Sequence, residues 1–328
     1  MWKTKLKTKV LLTHAIHPEA MKILEDSVED IVVAPNGEKK TILDLVDDKV
    51  EGIVVRFQVV VDRELMEKGK SLKVIARHAV GTELIDLDAA TELGIQVVNT
   101  PFSNTASVAE HVLAFILMLA KKLPYADSQL RMGNYGIKDK YEPDDIEGKT
   151  LGLIGFGRIG REVAKRCSFF GMHVAAFDNY VGDEVFRAFN VKKCLSVEAV
   201  LEKADFVSLH VPLTPETKNL IGKEQLAHMK KGAFLINCSR GGIVDEAALT
   251  EALRSGAISG AALDVFQQEP PLMDDPLFAQ DSFIGTPHNA GITVSAFRKM
   301  SLEAVAQMLK VLRGEKPDFL VNKDVLNR

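Results

Sequence analysis

Three short stretches of this chain set reactive side chains where the backbone must turn. Asn237-Cys238-Ser239-Arg240-Gly241-Gly242 follows an apolar run and puts an arginine in a glycine-rich turn. Leu263-Asp264-Val265-Phe266-Gln267-Gln268-Glu269-Pro270 closes a second run with an acid just before proline. Thr286-Pro287-His288-Asn289-Ala290-Gly291 follows a third run and carries a histidine. A guanidinium grips carboxylates through a rigid fork of charge-assisted donors. An imidazole titrates near neutrality and can pass a proton, and a carboxylate beside it favours the imidazolium and fixes its tautomer. Ligands of open α/β sheets bind at the carboxyl ends of the strands. If the three runs are strands of one parallel sheet, Arg240, Glu269 and His288 share an edge. Each has a plainer alternative: an arginine paired with the Asp245/Glu246 region, a loop acid, a packed or surface histidine.

A fourth stretch, Thr150 to Arg161, contains Gly155-Phe156-Gly157-Arg158-Ile159-Gly160. The GxGxxG pattern alone is weak, but here an apolar strand precedes it and an amphipathic helix follows. The first glycine allows a tight turn, the second a close approach of backbone to pyrophosphate, the third close packing of helix on strand. The helix start then offers free N–H groups to the anion. Asp178 stands 23 residues after Gly155, at the end of the next strand (His173–Phe177). An acid there accepts hydrogen bonds from ribose hydroxyls and repels a 2′-phosphate, which favours NAD over NADP. The plainer reading is a strand–helix turn with a surface acid.

The elements that must position these residues alternate along the chain. Val10–Leu12, Ile31–Val33, Ile53–Val55, Val74–Ala76 and Gln96–Val98 read as strands with helical segments between them. A second series runs through Leu151–Ile154, His173–Phe177, Phe206–Val211, Ala233–Asn237, Ala261–Val265 and Phe283–Gly285. This alternation predicts an α/β chain of two doubly wound parallel-sheet domains. Turn chemistry at Thr100–Asn104 marks a boundary, and Ser107…Glu110 reads as a capping box opening a helix apolar almost all round to Ala120. Such a helix belongs in an inter-domain seam or a subunit interface. A helix from Ser295 to about Arg313 could return to the first domain. The expected division is residues 1–102 plus 293–328 and, inserted between them, residues 103–292.

Composition narrows the function classes. The 328 residues are 46 % hydrophobic, and 41 basic against 45 acidic residues give a net charge of −4. No basic domain supports nucleic-acid binding. Cys167, Cys194 and Cys238 lack CxxC spacing and cannot all pair. The longest apolar run, Val112–Ala120, is far short of the ~20 residues of a membrane span. The start lacks a signal-peptide pattern, so a cytoplasmic protein is expected. His14 and His17 have no acids or cysteines clustered around them, and no metal site is expected.

Taken together, GFGRIGRE, the segment Ala204–Thr214, NCSRGGIVDE, ALDVFQQEP and TPHNAG resemble the D-isomer-specific 2-hydroxyacid dehydrogenases, over essentially the whole chain. These include 3-phosphoglycerate, glycerate/hydroxypyruvate and D-lactate dehydrogenases. The resemblance implies a flavodoxin-like substrate domain around a Rossmann-type NAD domain, acting on a small 2-keto or 2-hydroxy acid. It makes Arg240, Glu269 and His288 the catalytic set: His288 the acid that protonates the developing alkoxide, Arg240 the grip on the substrate carboxylate. It implies that Gly155, Gly157, Arg158, Ile159, Gly160 and Asp178 hold the dinucleotide. Val211 and Pro212 line it, Cys238 and Ser239 contribute to its site, and Asp264 bonds the nicotinamide amide. Cys238 is expected to be inert as a thiol.

For the substrate, the resemblance implies backbone donors at Val80 and Gly81 and an anion contact at Arg56. Two departures stand out. Glu83-Leu84 replaces the usual Asp-Asn, and Phe57 replaces a small hydroxylated residue. The chain ends forty residues after His288, so no further C-terminal regulatory domain is expected. Relatives are usually dimers, so a homodimer is expected; Lys138 and Lys140 read as a solvated loop. The rival function is a non-catalytic NADH-sensing scaffold of the same fold, as in the C-terminal binding corepressors. A formate dehydrogenase is disfavoured, because that branch carries glutamine where Glu269 stands.

Overall fold

The computed structural model describes residues 5–272 and 274–327. The chain divides into two compact units. One takes the residues up to Asn104 together with those from Ile292 onward, the other Thr105–Gly291.

In the first unit, β1 (Leu6–Leu12), α1 (Pro18–Ser27), β2 (Val28–Val33), α2 (Lys39–Leu45), β3 (Val50–Val55), α3 (Arg63–Lys68), β4 (Val74–Arg77), α4 (Leu87–Glu92) and β5 (Gln96–Val98) alternate. The strands form one parallel sheet in the order β2-β1-β3-β4-β5, the order of flavodoxin-like folds. Successive side chains of a strand face opposite ways. Leu11, Ile53 and Val55 accordingly enter one core, and Val10, Leu12 and Val54 the other. Burial on both faces explains why these strands read as near-continuous apolar runs.

The second unit holds α5 (Thr105–Lys121), α6 (Leu123–Arg131), β6 (Thr150–Ile154), α7 (Arg158–Phe169), β7 (His173–Phe177), α8 (Asp183–Ala188), β8 (Lys192–Lys193), α9 (Val197–Leu201), β9 (Phe206–Leu209), α10 (Lys223–His228), β10 (Phe234–Asn237), α11 (Glu246–Ser255), β11 (Gly260–Leu263) and β12 (Phe283–Gly285). Its parallel sheet runs β12-β11-β10-β9-β6-β7-β8. The order reverses beside β6, the switch point at which doubly wound sheets bind ligands. The chain then returns to the first unit through α12 (Val294–Leu312). Thr293 caps α12 by accepting the Ala296 N–H at 3.0 Å, and Val305, Met308 and Leu309 bury against the first sheet.

One local expectation is corrected. α5 begins at Thr105, so Ser107 lies buried inside its first turn rather than capping it. α5 also builds the second unit's own core: Val108, Val112, Phe115, Ile116 and Leu119 share it with Leu151, Leu153, Val163 and Cys167. Leu113, Leu117 and Met118 are only partly buried against that core. The helix left uncovered is α6, which has no buried residue. Leu123, Leu130, Met132 and Tyr135 are exposed along it and just beyond.

Candidate active site

The turns after β10, β11 and β12 lie side by side, because these strands are neighbours in the sheet. Asn237, 1 % exposed at the end of β10, organises the first. Its Oδ1 accepts the Ser239 N–H (3.0 Å) and hydroxyl (2.7 Å), and its Nδ2 donates to the Arg240 carbonyl (2.9 Å). Arg240 Nη1 donates to the Ser239 carbonyl at 2.7 Å. A Cβ on Gly241 would overlap the Phe266 carbonyl, so only glycine lets the arginine turn pack against the turn after β11.

That second turn delivers Glu269. Its Oε1 accepts the Phe266 N–H at 3.1 Å, and its Oε2 meets His288 Nδ1 at 2.7 Å. With Nδ1 engaged by the carboxylate, Nε2 is the ring nitrogen left for proton exchange, and the His288 side chain is 46 % exposed. His288 sits at φ +51°, a conformation few non-glycine residues adopt. Buried Asp264 holds it there. The Asp264 carbonyl accepts the His288 N–H at 2.8 Å. The Asp264 carboxylate accepts the Thr286 hydroxyl (2.5 Å) and the N–H groups of Asn289 and Ala290 (2.9 Å each). Thr286 also meets His111 Nε2 of α5 at 3.1 Å. Burial pushes the His111 pKa down, against the opposing pull of Asp264.

Around the glycine loop, two of the three glycines are demanded by the protein itself. Gly155 has φ +96°, and a Cβ there would stand 2.6 Å from the His210 carbonyl oxygen; one on Gly160 would stand 2.5 Å from the Gly155 oxygen. A Cβ on Gly157 would meet nothing within 4 Å. That open space at the cap of α7 leaves room for a group to come close to the backbone. No side chain caps α7 at Gly157, and the first N–H groups of a helix have no acceptor within the helix itself, the feature that suits a helix start to an anion. Asp178 accepts N–H groups from Phe156 (2.8 Å), Tyr180 (2.8 Å) and Val181 (3.1 Å). Three donors on a carboxylate leave about one lone-pair position. Asp178 therefore ties down the glycine turn and keeps an acceptor for a hydroxyl. Val211 borders the same turn: its Cγ1 lies 3.1 Å from the Gly155 Cβ position. The neighbouring Pro212 carbonyl is held by the Thr217 hydroxyl at 2.6 Å. The donor set fits a dinucleotide.

Burial raises the thiol of Cys238 well above its ordinary pKa, with Asp264 adding to the effect, and pushes Cys167 up to about 12. His210, bonded to Ser208 Oγ at 3.0 Å, is pushed down to about 4 by burial. In the first unit His78, bonded to Ser301 Oγ at 2.8 Å, is likewise brought to about 4, mainly by burial and then by Arg56. The unfolded chain binds protons at these histidines near pH 6.5, and the folded chain does not until about 4. Stability is therefore expected to be full above pH 6.5 and to fall as pH drops toward 4, by up to ~3 kcal/mol for His78. Urea midpoints measured across that range check this; His78→Gln should flatten the slope.

The residues proposed for substrate lie at the carboxyl edge of the first unit's sheet. The Val80 and Gly81 N–H groups bond to no protein group among the described residues. Their carbonyls are fixed by Asn99 Nδ2 (2.7 Å) and Arg77 Nε (3.1 Å). This loop is held without the Asp-Asn pair that Glu83-Leu84 replaces. Arg56 donates to the Ala15 carbonyl and lies between the rings of Phe57 (4.5 Å) and Phe297 (4.6 Å). Phe57 is thus a stacking partner of the arginine, at φ +53°.

Sequence reasoning passed over Asn237, Thr286, His111, Arg77 and Asn99. Only Asn237 left a signal, a polar residue ending an apolar strand.

Residues 113–290 match the family model for the D-isomer specific 2-hydroxyacid dehydrogenase NAD-binding domain. The chain is 44 % identical over 314 residues to the D-3-phosphoglycerate dehydrogenase of Methanocaldococcus jannaschii, covering 96 % of this chain and 59 % of that protein. It thus spans about three-fifths of that relative's length. Among solved structures, the TT0316 protein of Thermus thermophilus superposes with a TM-score of 0.87 at 36 % identity, covering 96 % of this chain and all of that one. An NADPH-dependent glyoxylate/hydroxypyruvate reductase from Sinorhizobium meliloti gives 0.85 at 28 %, covering 97 % and 99 %. With a family model matching over half its length, on the segment that carries the glycine loop and the Arg–Glu–His turns, this chain belongs to the D-isomer-specific 2-hydroxyacid dehydrogenase family.

Proposed function

We propose that this chain is an NAD-dependent oxidoreductase that interconverts a small D-2-hydroxy acid and its 2-keto acid. The observation that carries the reading is the 2.7 Å His288–Glu269 pair, on the sheet edge that also bears the Arg240 turn and the glycine loop. The nicotinamide, when bound, supplies or accepts the hydride. During keto-acid reduction His288 gives its Nε2 proton to the C2 oxygen. Glu269 keeps the ring oriented through Nδ1 and stabilises the imidazolium before transfer. Arg240 grips the substrate carboxylate and polarises the carbonyl. In oxidation His288 takes the proton back.

The N–H groups at the start of α7 hold the pyrophosphate, and Asp178 receives ribose hydroxyls and repels a 2′-phosphate. Val211, Pro212, Cys238 and Ser239 line the dinucleotide, and Asp264 accepts from the carboxamide. Val80, Gly81 and Arg56 contact substrate anions. Relatives named as phosphoglycerate dehydrogenases and as a glyoxylate/hydroxypyruvate reductase support glyoxylate, hydroxypyruvate and phosphohydroxypyruvate as the acids to try. A cytoplasmic homodimer completes the proposal. It is supported by the free, buried cysteines, by the exposed apolar side chains of α6, and by the lack, among the described residues, of any helix long and apolar enough to cross a membrane.

Purified protein is expected to consume NADH with at least one of these acids, and NADPH much more slowly. Asp178→Ala should narrow that preference at least tenfold. An unchanged preference removes Asp178 from cofactor choice, and no consumption of either dinucleotide with any of these acids removes the function.

A further inference from the structure

The turn that presents Glu269 is clamped from outside. Asp245 caps α11 and spends its carboxylate on the Ala248 N–H at 3.0 Å. Glu246, the next residue, reaches across instead, and its Oε1 accepts the Gln267 N–H at 2.5 Å. The preceding amide, Phe266 N–H, is bound by Glu269 itself. Two successive amides of one turn are therefore held by two carboxylates, one from the turn and one from α11.

We propose that Glu246 is a positioning residue that tunes the His288–Glu269 pair: its oxygen fixes the turn that delivers Glu269, and its negative charge adds to that of Glu269 in stabilising the protonated imidazole. The proposal rests on His288 being the proton donor. The charged groups acting on Glu246 are acids from three places. They are Asp245 at the head of its own helix, Glu269 in the turn after β11, and Asp275, which caps the short 3₁₀ helix Pro276–Ala279 that packs on α11. Asp264 and Glu269 are the acids bonded to the histidine and its turn. Burial, together with Asp275, Glu269 and Asp245, raises the pKa of Glu246, against the lowering effect of the Gln267 N–H.

Glutamine and alanine separate the two roles. Glu246→Gln keeps an oxygen for the Gln267 N–H and removes the charge; Glu246→Ala removes both. His288 is followed by NMR of the histidine-labelled full chain, with the resonance assigned by its loss in His288→Gln. In Glu246→Gln the titration midpoint of His288 is expected to fall by about half a pH unit, as for one charge acting across a partly exposed site. The high-pH limb of keto-acid reduction should move with it, while NADH affinity stays the same. In Glu246→Ala the same displacement should come with a further tenfold or greater loss of kcat at every pH. An unchanged midpoint in Glu246→Gln overturns the charge role, and an alanine variant no slower than the glutamine one overturns the clamp. The titration needs no turnover. A displaced midpoint in a chain that reduces no 2-keto acid would keep the coupling and discard the proposed function.

Discussion

His288→Gln is expected to slow keto-acid reduction by about 10²–10⁴-fold, the usual worth of a positioned general acid. NADH should bind almost as before. The separation follows from how the turn is built. The His288 backbone N–H is held by the carbonyls of Asp264 and Thr286, and the Asn289 and Ala290 N–H groups by the Asp264 carboxylate. Replacing the imidazole removes the bond to Glu269 and leaves that scaffold in place. The glycine loop draws on β6, β7 and β9 rather than on this turn. His288→Asn is a useful companion, because asparagine tolerates the left-handed backbone found at this position. Stopped-flow NADH binding and steady-state turnover, measured on both variants, check the expectation. Equal losses in binding and turnover would make the histidine a structural residue.

Arg240→Lys should lower kcat/KM for the keto acid by about 10²-fold, although the charge is kept. An ammonium cannot reproduce two parallel donors to a carboxylate, and a hydrogen bond to a charged group is worth roughly 1.5–3 kcal/mol. Beside the arginine's own bond to the Ser239 carbonyl, other groups hold this turn. Asn237 fixes that turn through backbone and Ser239, and Gly241 through its fit to Phe266. Stability to urea should therefore be nearly unchanged, so a loss of kcat/KM reports chemistry. A lysine variant within about threefold of the parent would show that Arg240 does not grip the substrate.

What was legible in the sequence follows from which interactions are local. Strands buried on both faces announce themselves as apolar runs, and GxGxxG announces a tight strand–helix turn, so β6, α7 and Asp178 could be placed from spacing alone. The three catalytic candidates are legible because each lies in a turn that follows an apolar run, and the parallel order of β10, β11 and β12 brings those turns together. The rest depends on contacts between residues far apart in the chain. Nothing near Glu246 in sequence points to Gln267, twenty-one residues on, and nothing near His111 points to Thr286. Arg56 reads from the sequence as a strand-end cation for an anion; its stacking on Phe297 has no sequence signal, because Phe297 arrives only when α12 returns to the first sheet. The all-round apolar face of α5 was ambiguous for a related reason. Burial within one domain and burial between partners leave the same composition, and only the packing of Val112, Phe115 and Ile116 beside Leu151 and Val163 shows which residues the domain itself buries.

The central claim is that one histidine, held by one glutamate, handles the proton while one arginine holds the acid. A crystal structure of the chain with NAD⁺ and a 2-hydroxy acid tests it most directly. The expected result places His288 Nε2 within about 3 Å of the C2 oxygen and the Arg240 guanidinium against the carboxylate. A bound acid whose C2 oxygen faces neither side chain would contradict the account.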